Sequence, residues 1–97
     1  MSMTLEIYSA GMKKYMEEFP DDVKYFRGIT GELEDEELAK ISAIIVKAMN
    51  GDAECLQQAK DYWAKLGVPP LSDEIKANFR GCFSEEYRDI VDAYLNK

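Results

Sequence analysis

Glu34-Asp35-Glu36-Glu37-Leu38-Ala39-Lys40-Ile41-Ser42-Ala43-Ile44-Ile45-Val46-Lys47-Ala48-Met49-Asn50 reads as one amphipathic helix. Leu38, Ile41, Ile44, Ile45, Ala48 and Met49 recur at helical spacing, and Ala43 and Val46 widen the stripe. A stripe this broad predicts a central helix buried on more than one side. The acidic start suits the positive end of the helix dipole. Leu33 and Leu38 have the spacing of a hydrophobic staple, and Gly51 follows as a cap. The run Glu32 to Glu37 carries five acids. It is read first as a solvated helix start and second as a docking site for a basic partner.

Outward from this segment the same period continues. A first helix is predicted over about Thr4–Phe19, with Leu5, Tyr8, Met12, Tyr15, Met16 and Phe19 on one face. Thr4 caps it and Pro20 ends it, while Gly11 weakens its middle by ~1 kcal/mol. A short helix is predicted over about Asp21–Arg27, ended by Gly28. A fourth, about Asp52–Leu66, presents Cys55, Leu56, Ala59, Tyr62, Trp63 and Leu66. After the connector Gly67-Val68-Pro69-Pro70-Leu71, Ser72 starts a fifth helix, which Gly81 stops or kinks. Ser84 starts the last, with Tyr87, Ile90, Val91, Tyr94 and Leu95 on its stripe. No segment alternates as a strand. The expectation is an all-α fold: a compact bundle of about five or six short helices with orthogonal packing, in one domain over residues 1–97.

Two segments echo each other. Asp21-Asp22-Val23-Lys24-Tyr25-Phe26-Arg27-Gly28-Ile29-Thr30 is answered by Asp73-Glu74-Ile75-Lys76-Ala77-Asn78-Phe79-Arg80-Gly81-Cys82-Phe83-Ser84. Self-similarity of this kind bears on the whole fold. One reading is an internal duplication, with repeats over about 4–50 and 52–97 related by a pseudo-twofold axis. The other is shared capping chemistry. Arg27, Gly28, Arg80 and Gly81 are therefore assigned structural roles, the arginines complementing helix C-termini. A sharper expectation pairs the arginines with Glu36 or Glu86 across the axis.

Composition bounds the function. The 97 residues carry 19 Asp and Glu against 12 Lys and Arg, a net charge of −7. That balance disfavours nucleic acid and anionic membranes as partners. A chain of this length buries roughly 60–65% of its unfolded surface, enough for one modest core. Two cysteines, Cys55 and Cys82, are too few for a disulfide framework and are read as buried free thiols, with a single bridge left open. No signal peptide and no apolar run long enough for a bilayer occurs, so a cytoplasmic location is expected.

Residues that carry chemistry are few. The chain has no histidine, which removes the usual general base and every Ser-His or Cys-His pair. No zinc, calcium or phosphate-loop pattern occurs, and the paired carboxylates sit in first helical turns. No cofactor, metal site or enzymatic activity is expected. The aromatic residues are read as core, with one functional alternative: a pocket or partner surface formed by Tyr15, Tyr62, Trp63 and Phe79. Trp63 followed by the Pro70-Leu71-Ser72 helix start resembles the helical effector-binding domains of antibiotic-sensing regulators. The resemblance includes no specific motif, and no family is identified from it. The leading expectation is a regulatory or adaptor protein that binds another protein or itself, as a homodimer, without catalysis. The second is an effector-binding domain that takes an apolar small molecule in an enclosed aromatic cavity near Trp63.

Overall fold

In the computed structural model, which describes residues 1–97, six helices follow one another without a strand. They are α1 (Leu5–Glu18), α2 (Pro20–Thr30), α3 (Asp35–Met49), α4 (Ala53–Lys65), α5 (Asp73–Gly81) and α6 (Glu85–Leu95). Three of the six starts, those of α1, α4 and α5, follow from side chains that satisfy the free first-turn amides, whereas Ser84 at the start of α6 makes no such bond. Thr4 Oγ1 accepts from the Ile7 amide at 3.2 Å, and Asp52 Oδ1 accepts from Cys55 at 2.9 Å. Ser72 Oγ does the same for Ile75 at 3.2 Å. Asp52 is held below the usual carboxylate range, chiefly by that backbone hydrogen bond from Cys55. A single residue, Phe19, separates α1 from α2, because Pro20 ends the first helix and opens the second.

One helix end differs from expectation. α2 runs on through Gly28 to Thr30, and Gly31, at φ 71°, supplies the terminating turn. The Gly31 amide donates to the Arg27 carbonyl at 2.9 Å. Gly28 keeps a negative φ, so nothing in its backbone stops the helix. Gly81 likewise has no left-handed turn and is the last residue of α5.

The core gathers Met3, Tyr8, Ile41, Ile45, Met49, Ala59, Phe83 and Val91. α3 sits at its centre, packed on α4 in a helical hairpin and also touching α1 and α6. Gly11 is buried beneath the Phe83 ring; a Cβ there would collide with the ring carbons. The N-terminal segment is held by Asn50, which caps α3. Its Oδ1 accepts from the Met3 amide and its Nδ2 donates to the Met3 carbonyl, each at 2.8 Å. Met3 is thereby buried, a position that helical periodicity does not reveal.

The apolar faces are covered less completely than their width predicts. Leu5 and Met16 on α1 remain exposed, as does Leu38 in the first turn of α3. These residues have the right spacing, yet their side chains stay largely in solvent. α2 has no buried residue at all, and its packing is chiefly on α1. The two echoed segments also have different surroundings: α5 packs on α6 and α1, whereas α2 packs mainly on α1. No helix is long and apolar enough to cross a membrane.

Candidate functional site

Tyr15 lies on the buried face of α1, one turn after Gly11. Its ring meets Phe79 edge-on at 5.5 Å and Phe19 at 5.7 Å between centroids. Phe79 in turn contacts Phe83 at 5.1 Å, and Phe83 contacts Tyr8 at 6.5 Å. Five rings thus form a continuous ladder from α1 to α5 and the turn after it. Edge-to-face contacts of this kind add stability beyond area burial.

The polar end of the ladder is a joint between three helices. The Tyr15 hydroxyl donates to Asp22 Oδ2 at 2.7 Å. Asn78 Nδ2 donates to the same oxygen at 3.2 Å. One carboxylate in the first turn of α2 therefore ties that helix to α1 and α5. Beside it the Cys82 thiol donates to the Asn78 carbonyl at 3.3 Å and faces Glu18 Oε2 at 3.9 Å. Burial, reinforced by Asp22, pushes the Tyr15 phenol well above its ordinary pKa. Burial and Glu18 likewise push the Cys82 thiol up. Both groups hold their protons at neutral pH, so Cys82 lacks the thiolate character of a nucleophile. Cys55 is partly buried, and both cysteines are free.

Tyr62 and Trp63 form a separate pair on α4, 5.0 Å apart at an interplanar angle of 79°. The Tyr62 hydroxyl donates to Glu37 Oε1 at 2.9 Å, linking α4 to the acidic start of α3. The four aromatics nominated from sequence therefore fall into two groups. Tyr15 and Phe79 pack on each other, as do Tyr62 and Trp63, and no ring contact joins the groups.

Arg80 makes the only ion pair in the chain, Nε to Asp92 Oδ2 at 2.6 Å. Its partner is on α6 but is neither Glu36 nor Glu86. Arg27 has no carboxylate partner and lies in the last turn of α2, where it complements the dipole. No three His, Cys, Asp or Glu side chains converge as a metal-binding group.

An open groove of about 330 Å³ runs between α1 and α2. Met16, Pro20 and Val23 give it an apolar floor, and Lys24 and Arg27 border it. From sequence, Met16 reads as part of an apolar face, Pro20 as a helix end and Arg27 as a dipole complement, and none of the five is nominated for binding. The spacing 16, 20, 23, 24, 27 carries a helical signal, but the proline conceals that two helices share the face. No family model matches the chain, and no curated protein or solved structure matches it either.

Proposed function

We propose that this chain is a non-catalytic binding module, of regulatory or adaptor type, that acts by docking another protein chain. The observation that carries this reading is its surface. The Cα radius of gyration is 12.5 Å, matching the ~12.5 Å expected for a compact chain of this length. Yet the accessible surface is 6376 Å², against about 5,650 Å² for a typical folded monomer of this mass. The excess of about 700 Å² is close to the ~800 Å² that each partner contributes to a standard interface. Large apolar side chains stand exposed: Tyr25 is 47% exposed, Met16 43% and Leu38 41%. Free thiols at both cysteines fit a reducing compartment such as the cytoplasm.

The test is affinity capture from the source cell, comparing the native chain with Met16→Asp and Leu38→Asp variants. Circular dichroism would verify that both variants fold. A stoichiometric protein recovered by the native chain and lost with a variant is the expected result. Absence of any stoichiometric protein, a second copy included, overturns the reading.

A further inference from the structure

We infer that the groove between α1 and α2 receives the acidic start of α3 from a second copy of this chain, giving a twofold dimer. The inference rests on the binding-module reading and names its partner. The groove has an apolar floor and two cations, Lys24 and Arg27, that engage no carboxylate; the chain's one ion pair is elsewhere. The complementary element belongs to the same chain. Leu38 is 41% exposed. Asp35 lies three residues before it on the same side of the helix, and Glu34 is the N-cap residue immediately preceding Asp35. Neither acid is in an ion pair. One exposed leucine flanked by two carboxylates matches one apolar floor bordered by two cations.

Topology favours reciprocity. Only Gly31 to Glu34 separate α2 from α3. The linker leaves α2 at Thr30, one helical turn beyond Arg27, so the Arg27 edge of the groove and the acidic turn lie within roughly 22 Å of each other, near enough to share one interface. A twofold interface needs such adjacent, mutually complementary patches, and it forms each contact twice. The net charge of −7 opposes any association of two copies. At physiological salt that repulsion is screened beyond ~8 Å, leaving the short-range pairs to decide.

Sedimentation equilibrium across protein and salt concentration tests this directly. The native chain should dimerise, and the dimer should weaken as salt rises. Lys24→Glu with Arg27→Glu should raise the dimer dissociation constant by roughly tenfold or more. Glu34→Lys with Asp35→Lys should do the same. Mixing the two double variants should restore a dimer, because each reversed patch then meets its opposite. Circular dichroism of each double variant establishes that both are folded before they are mixed. A native chain that stays monomeric at all concentrations overturns the inference, as does a dimer unaffected by either reversal or a mixture without rescue. Monomer behaviour with a different protein captured in stoichiometric amount leaves the binding-module reading standing and removes only self-docking.

Discussion

In the middle of α1, Gly11 lowers helix propensity by about 1 kcal/mol relative to alanine. The structure supplies the compensation: the Phe83 ring occupies the space where a side chain would begin. Gly11→Ala is therefore expected to destabilise the fold by about 1–3 kcal/mol, against the sign of its helix propensity. Chemical denaturation measures this; a neutral or stabilising result would show that Phe83 moves aside freely. In the background of Phe83→Leu the same change should cost less, because the ring edge is gone. The sequence shows Gly11 only as a weak point in a helix. Its partner is 72 residues away, and no local pattern connects them. The same holds for Tyr15, whose place on the buried face is legible from spacing, whereas its bond to Asp22 is not.

At the scale of the helix, the predicted limits and the observed ones differ mainly by the caps themselves. Thr4, Asp52 and Ser72 lie just outside their helices and bond the first-turn amides, and those residue types announce that role. α2 is the exception. Phe-Arg-Gly reads as a helix end, but the glycine whose positive φ terminates α2 is Gly31, while Gly28 has no positive φ and the helix runs through it. This yields a paired expectation. Gly28→Ala should stabilise by up to about 1 kcal/mol, since it lies within a helix with open space around it. Gly31→Ala should cost roughly 1 kcal/mol, because φ is 71° there. Thermal melts of the two variants decide it, and the opposite order would place the end of α2 at Gly28.

Across the whole molecule, the buried phenols set the response to alkali. Tyr8, Tyr15 and Tyr94 all have raised pKa values, with burial the largest cause in each. In the unfolded chain tyrosines ionise near pH ~10. Above that pH the unfolded state loses protons that the folded state retains, so stability falls as pH rises. The melting temperature should begin to fall above pH ~8.5, where the unfolded chain's Cys82 ionises, and drop steeply beyond pH ~10 as the tyrosines follow. A flat profile through pH ~11 would mean that these hydroxyls reach water. The all-helical class was legible at this scale because one period runs through nearly every segment. The groove was not, because it forms between two helices whose relation depends on a single residue, Phe19.

The bond pair between Met3 and Asn50 joins positions 47 residues apart. In kinetic terms it is a clasp closing a long loop, and long loops close late because their ends must first be brought together. Residues 1–3 have no docking place until the end of α3 exists. The buried face of α1 waits still longer, because Phe79 and Phe83, which pack against Tyr15 and Gly11, lie beyond Asn50 in the chain.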